Sequence, residues 1–483
     1  VLASSWAVDA AGPASSAGAS GGASCARGHA GGDWPSFGHD AAHTSSQPLE
    51  HTITPSTAAM LRPRWRFSLA DVGAAGDFHS TPVIAHGCLY IATNDDRILA
   101  LDADTGRLVW KVNLATHPRN GSGLALSGGA FSLAVDGGRV FADVTHLGHP
   151  YAIALDARTG RVLWKTVATR DATAFTNASV SLMDGMVFMG ISGPEDGPDH
   201  GRNAGGYAFI DERTGEVVER EYVVPPADDA RGLKGVSIWA TAAYDPSTGF
   251  AYVGTGQPAN KDREHRLSNA IVKIDARRDR GNTFGRIVDA YRGDYDERGD
   301  LDFGGSPVLF RDRRGRELVG ELQKSGRFHA AFADTMEQAW WTRLAAPEGL
   351  GNSGTPAFDG RSVFIAADTD YSSFSSSREP SPGYLFSLDR STGAINWRVP
   401  VASGLDYHLI AVAGGVVYMV TTHGVLLGVD AALGLPVVAR PLGLDTGDAC
   451  ANLSSGAVVA RHQVYAVCDL GPNRGGSIVA YGL

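Results

Sequence analysis

Eight times along the chain a short apolar segment meets a small turn and a second apolar segment. The segments are STPVIAHGCLYIAT, FSLAVDGGRVFADV, SVSLMDGMVFMG, TAAYDPSTGFAYVGTG, GSPVLFRDRRGRELVG, GTPAFDGRSVFIAA, LIAVAGGVVYMVTT and SSGAVVARHQVYAVC. Their alternation predicts β-hairpins whose strands are buried on one or both faces. A second pattern recurs between them: ALDADTGRLVW (100–110), ALDARTGRVLW (154–164), FIDERTGEVVE (209–219) and SLDRSTGAINW (387–397). Weaker copies start at KIDARRDRG (273–281), FADTMEQAW (332–340) and GVDAALGLPVV (428–438). The anchoring aspartates Asp102, Asp156, Asp211, Asp275, Asp334, Asp389 and Asp430 recur every 40 to 65 residues. That spacing suits a blade of four strands.

In Asp-x-x-Thr-Gly the carboxylate bonds nearby N–H groups while glycine supplies a positive φ, which makes a tight turn. The tryptophan that follows lies on an outer strand, where its ring covers the seam to the next blade. The final strand SIVAYGL (477–483) still needs an outermost neighbour, and LRPRWRF (61–67) supplies it with Trp65 in the tryptophan slot. Pairing the two ends closes the ring and removes open sheet edges. The expected fold is therefore all-β: one eight-bladed β-propeller of four-stranded antiparallel blades over 33–483, with seven blades as the fallback. Two separate β-sandwiches would need a linker near the middle, and none is visible. Length alone would allow two or three domains, but repeat folds grow by adding units.

The 61 glycines carry no collagen period and fit many tight turns. A net charge of −10 argues against a nucleic-acid face, which needs concentrated basic residues. No apolar run is long enough to span a membrane. Residues 1–32 are rich in Ala, Gly and Ser and read as a flexible leader. The chain starts without methionine, which fits a removed export signal and a secreted, periplasmic or cell-envelope location. Four cysteines allow three pairings. Cys450 and Cys468 flank the last hairpin, whose turn lies near Arg461 and His462, and a disulfide there competes with two free thiols. Cys25 and Cys88 are candidates for a second bridge that ties the leader to the first blade. Cys-x-x-Cys-His is absent, so no covalent haem is expected.

A propeller does not specify a function; the mouth of its channel does. GVSIWATAAYDPSTGFAYVGTGQPAN (235–260) puts Trp239 at the start of an inner strand and Gln257 at the exit of the next. ISGPEDG (191–197) puts Glu195 after a strand, GDLDFGGSP (299–307) puts Asp300 and Asp302 before one, and ELQKSGRFH (321–329) puts Lys324 at a strand exit. All four stretches are expected at one end of the channel.

These stretches, with the opening DWPSFGHDAAHTSSQ…ITPSTAAMLRPRW (33–65), resemble the pyrroloquinoline-quinone (PQQ) dependent alcohol dehydrogenases, nearest the polyvinyl-alcohol dehydrogenase-like branch. The likeness runs from residue 33 to the C-terminus. It implies that PQQ lies on Trp239 and that Glu195 and Gln257 hold Ca²⁺. Asp302 is implied as the general base and metal neighbour, Asp300 as an extra metal ligand, and Lys324 as the cation at the quinone oxygens. Ser192 and Thr176 or Asn177 match polar groups that contact the cofactor's carboxylates. Two departures stand out. Gln257 occupies a position where the family has asparagine, so the backbone adjusts, another ligand enters, or the metal is lost. The adjacent cysteine pair that covers the quinone in many relatives is missing, as it is in the polyvinyl-alcohol branch; 145–150 or the segment around Asn352 could cover the ring instead.

The chemistry is consistent. A planar quinone suits an aromatic platform, Ca²⁺ takes hard oxygen ligands, and a carboxylate beside the metal can accept an alcohol proton. Lys324 would stabilise developing negative charge. His146, His149, His408 and His423 are too scattered for a metal spacing and read as structural or surface residues. The leading function is oxidation of an alcohol, small or polymeric and with secondary alcohols included, by a monomer that passes electrons to a separate acceptor such as a cytochrome. Against it stand a non-catalytic propeller serving as a binding or assembly scaffold, and an enzyme on this scaffold that has dropped the quinone.

Overall fold

The computed structural model describes residues 25, 31–74, 76–78, 80–114, 132–145, 149–193, 205–229, 235–258, 265–294, 301–345, 354–368, 382–402, 409–450, 456–470 and 474–483. Within these, eight antiparallel sheets form the blades of one propeller, and seven of them contain four strands. Blade one comprises Val83–Ala85, Cys88–Ala92, Arg97–Asp102 and Leu108–Asn113, from channel to rim. Blades two to six repeat the order. Blade seven gains a fifth strand, Ser46–Gln47, paired in parallel with its innermost strand, Ala411–Ala413. Blade eight takes three strands from the C-terminus, and Arg62–Ser68 pairs antiparallel with Gly476–Gly482 to complete it. The ring closes as the sequence indicates.

The repeat motif sets the seams. Asp102 Oδ1 accepts from the Thr105 N–H at 2.9 Å and from the Thr105 hydroxyl at 2.7 Å. Gly106 then turns at φ +69, and a Cβ there would sit 2.4 Å from the Trp65 ring of blade eight. Only glycine fits both conditions. Trp65 Nε1 donates to the Ala103 carbonyl at 2.9 Å, and Trp110, Trp164 and Trp397 make the same bond to Ala157, Glu212 and Ala431. Each indole thus buries its ring against the next blade and satisfies its one donor there.

One anchor differs from the sequence reading. In blade five, Phe332 and not Asp334 holds the turn position, because Met336 N–H bonds the Phe332 carbonyl as Gly106 N–H bonds that of Asp102. Met336 adopts φ +53 in place of the glycine. The aspartate two residues along resembles an anchor in sequence but occupies the place of Asp104.

Both disulfides form: Cys25–Cys88, with Cα atoms 5.2 Å apart, and Cys450–Cys468, at 5.1 Å. Cys450 is not on the last hairpin (Ala457–Ala460 and Gln463–Asp469); it lies beyond a short helix, Gly443–Thr446, and reaches the second strand from outside. No described helix is long and apolar enough to cross a membrane.

Residues 32–47 cross one end of the channel as a belt. Trp34 exchanges two backbone hydrogen bonds with Ile84 of blade one, and Pro35 accepts from Val135 of blade two. Ala41, Ala42, Thr44 and Ser45 accept from Tyr244, Leu309, Phe358 and Val412 of blades four to seven. Gly32 accepts from Arg461 of blade eight. Among the described residues only blade three has no backbone bond to the belt. The belt satisfies innermost-strand N–H groups that no further strand covers.

Candidate functional site at the opposite mouth

Inner strands start, and second strands finish, at the end of the channel away from the belt. Short bridges there join each blade's lead-in to its exit: Phe175 with Ser192 in blade three, Gly235 with Pro258 in blade four, and Phe303 with Gln323 in blade five. The bridges carry the sequence-derived residues to one mouth. Trp239 stands on the lead-in of blade four, four residues before its inner strand Ala243–Asp245. Asp302 stands on the lead-in of blade five and Lys324 on its exit.

Three of these side chains meet directly. Asp302 is wholly buried; its Oδ2 accepts from Trp239 Nε1 at 3.2 Å and from Lys324 Nζ at 3.3 Å. Lys324 Nζ also lies 4.8 Å from the centroid of the Trp239 ring. Lys324 N–H donates to the Asp302 carbonyl at 3.0 Å, so backbone and side chain both fix the pair. A buried charge needs such a partner. The result is a carboxylate with one oxygen held between an indole N–H and an ammonium, beside an aromatic face.

The neighbouring residues extend the arc. Ser192 is buried and its hydroxyl donates at 2.9 Å to the carbonyl of Ile238, the residue before Trp239. Gln257 is buried, and its carbonyl accepts from Val236 N–H at 3.0 Å. Its side-chain Oε1 has no hydrogen-bond partner among the described residues. An unsatisfied buried amide oxygen costs about 1–3 kcal/mol. It is a hard oxygen ligand of the type that calcium accepts. Asn177 is half-buried beside this arc. Thr176 differs from the expectation of a direct cofactor contact: it is fully buried and its hydroxyl donates to Asp143 Oδ2 at 2.8 Å.

Glu195, Asp300, His146, His408 and Asn352 lie outside the described residues. Among the described residues, no three His, Cys, Asp or Glu side chains form a metal-binding group.

Among the buried acids that sequence reading missed, Asp143 and Glu321 lie against the lead-ins that carry the site. Asp143 beneath Thr176 is pushed up to about 7 by burial, against the hydrogen bond from Thr176. Glu321 lies behind the site, and a Cβ on Gly254 would be 2.3 Å from its Oε1 and 2.6 Å from the Phe303 carbonyl oxygen. Burial raises the Glu321 carboxyl well above the ordinary range. The available signal was an acid inside an apolar strand, in VFADV and LVGELQ.

Residues 34–163 match the family described as glucose/ethanol/alcohol dehydrogenase, beta-propeller domain. Residues 313–471 match the family described as outer membrane protein assembly factor BamB. A polyvinylalcohol dehydrogenase of Pseudomonas sp. is 24% identical over 342 residues, covering 65% of this chain and 51% of that protein. The quinohemoprotein alcohol dehydrogenase ADH IIB of Pseudomonas putida is 27% identical, covering 49% of this chain and 36% of that protein. The chain thus spans about half the length of the first of these curated relatives and about a third of the second. The crystal structure of quinohemoprotein alcohol dehydrogenase from Comamonas testosteroni aligns with a TM-score of 0.74 at 18% identity, covering 93% of this chain and 80% of that one. That structure shares the fold. The sequence matches bear out the resemblance to PQQ-dependent alcohol dehydrogenases, polyvinyl-alcohol dehydrogenases among them.

Proposed function

We propose that this chain is the propeller of a PQQ-dependent dehydrogenase that oxidises an alcohol, with Asp302 as the general base. One observation carries the reading: an indole, a carboxylate and an ammonium from two adjacent blades converge at one channel mouth. The resemblance to alcohol dehydrogenases supplies the chemical class.

The residues present fit the implied groups. Trp239 offers an aromatic platform, and Ser192 and Asn177 offer polar contacts at its side. Thr176 serves through Asp143 by holding the lead-in that carries Asn177. Gln257 Oε1, without a hydrogen-bond partner among the described residues, is a ready metal ligand in this reading alongside Asp302, with Glu195 and Asp300 completing the proposed set. When bound, PQQ would supply a two-electron acceptor and Ca²⁺ a Lewis acid. Asp302 receives the hydroxyl proton of the alcohol at its carboxylate. The Trp239 N–H fixes the orientation of that carboxylate, and Lys324 offsets the negative charge that develops during the reaction.

In this reading the chain acts as a monomer on a small or polymeric alcohol and passes electrons to a separate acceptor such as a cytochrome. Two disulfides suit an oxidising compartment, so we place it outside the cytoplasm, in the cell envelope or beyond.

A second reading is a scaffold without catalysis, favoured by the match of 313–471 to the BamB family. One experiment separates the two. Purified protein is titrated with PQQ and Ca²⁺, then assayed for bound-quinone absorbance and dye reduction with simple alcohols. Saturable binding with turnover supports the dehydrogenase; no binding at micromolar quinone supports the scaffold.

A further inference from the structure

The residue before Lys324 is a wholly buried glutamine whose side-chain amide is bonded at both ends. Gln323 Nε2 donates to the Asp294 carbonyl at 2.9 Å and to the Leu301 carbonyl at 2.8 Å. Its Oε1 accepts from the Asp294 N–H and from the Ser325 hydroxyl, each at 2.9 Å. Both donors and both lone pairs of the amide are thereby used. His329 Nε2 lies 3.1 Å from the same oxygen, and His329 Nδ1 lies 2.8 Å from the Tyr291 hydroxyl.

The partners of this amide belong to two blades. Asp294 follows the outer strand of blade four, Ile287–Arg292, and Leu301 immediately precedes Asp302 on the lead-in of blade five. One side chain thus ties the end of blade four to the neighbour of the proposed base. The Asp294 N–H on one side and two carbonyls on the other fix which way the amide points, because a flipped amide would face like groups.

The other flank of Asp302 is held from the same place. The backbone of Phe303 bridges to that of Gln323, and the Phe303 ring meets the His329 ring edge-on at 5.5 Å. Gly293 makes room for both side chains: a Cβ there would sit 2.6 Å from the Phe303 ring and 2.8 Å from Gln323 Nε2. The Lys324 N–H bonds the Asp302 carbonyl at 3.0 Å. Asp302 is therefore held through Leu301, through Phe303 and through its own carbonyl, in each case by Gln323 or the residue after it.

We propose that Gln323 is a positioning residue for the dehydrogenase reaction, setting the Asp302 carboxylate against Trp239 and Lys324. The inference rests on the reading of Asp302 as the general base. Without the amide, the Leu301 carbonyl and the Asp294 N–H are left unpaired in a buried site, and the lead-in shifts to recover partners. A displacement of about 1 Å in a reacting group costs about 10²-fold in rate.

The Trp239 indole N–H, which donates to Asp302 Oδ2 at 3.2 Å, reports this positioning with no quinone or alcohol present. In the full chain labelled with ¹⁵N-tryptophan, its NMR signal is identified by its loss in Trp239→Phe. Gln323→Met, close in size and without polar side-chain atoms, should shift that signal and speed its exchange with deuterium about tenfold, the factor of one lost hydrogen bond. Tyr252→Phe removes a bond between the same two blades, to the Ala333 carbonyl at 2.8 Å, and should leave the signal in place. In protein loaded with PQQ and Ca²⁺, Gln323→Met should lower kcat about 10²-fold and keep KM within a few-fold. An unmoved indole signal in Gln323→Met, an equal shift in Tyr252→Phe, or an unchanged kcat in the loaded variant would each overturn the proposal. Absence of quinone binding in the unaltered protein overturns the dehydrogenase reading instead, and the indole signal still decides whether Gln323 holds Asp302. Circular dichroism checks that Gln323→Met folds. If it does not, the unaltered protein decides: its Gln323 side-chain amide protons should exchange at least about tenfold more slowly than those of an exposed glutamine, and rapid exchange overturns the clamp.

Discussion

Lys324 Nζ bonds Asp302 Oδ2 at 3.3 Å, with the two side chains 4% and 0% exposed. Removing the cation strands a carboxylate in a dry site. Lys324→Met should therefore destabilise the fold by about 3–5 kcal/mol. The double variant Lys324→Met with Asp302→Asn should recover most of that loss. Chemical denaturation of the four proteins measures the coupling. Additive effects would mean that the pair does not interact in solution.

The same pair predicts a kinetic result. Asp302→Asn keeps the acceptor for Trp239 and Lys324 but cannot take a proton. Alcohol-dependent dye reduction in protein loaded with PQQ and Ca²⁺ should fall by about 10²–10⁴-fold while quinone affinity stays within a few-fold. Retained turnover would remove Asp302 from the role of base.

Glu321 gives a pH signature. Its folded carboxyl stays protonated well above the usual 4.5, so between pH 4.5 and the raised value the folded state binds more protons than the unfolded one. Stability from this group is full below the unfolded value and declines as pH rises. Glu321→Gln, which stays neutral, should flatten that decline and be the more stable protein at alkaline pH. Thermal melts from pH 5 to about pH 9 test it; parallel curves would show that Glu321 is ionised when folded.

The Cys450–Cys468 bridge, with a sequence separation of 18, ties the connection between blades seven and eight to the second strand of blade eight. Cys450→Ser together with Cys468→Ala should cost about 3 kcal/mol by the loop-closure argument. Urea unfolding of the double variant against the parent measures it, and an unchanged midpoint would assign the bridge no stabilising role.

Most of the ring could be read from the chain because its signals are local. Asp102, Thr105 and Gly106 define a turn from five consecutive residues, and Trp65 announces the closing strand by filling the same slot. Phe332 was misread for the converse reason: Met336 takes the left-handed turn without a glycine, so only the backbone bonds reveal the register. The meeting of Trp239, Asp302 and Lys324 was legible through family likeness, since the three are spread over more than 80 residues of sequence. For Asp143 and Glu321 the one local signal was an acid inside an apolar strand; what packs against each comes from the neighbouring blade, Thr176 for Asp143 and Gly254 for Glu321. The path of the belt was invisible too, because its backbone bonds carry no side-chain pattern.

That belt has a consequence for how the molecule assembles. Its partners extend from Ile84 to Arg461, so a segment that precedes every blade in the chain can be seated only after the last blades exist. Contacts of such sequence separation slow folding, and nascent chains otherwise fold from the N-terminus onward. Pulse-labelled hydrogen exchange should find the amides of Leu309, Phe358 and Val412 protected last, after the strands that contain their neighbours; early protection there would refute this order. A ribosome-bound chain short of its final blade would hold residues 32–47 loose, as a drawstring not yet pulled.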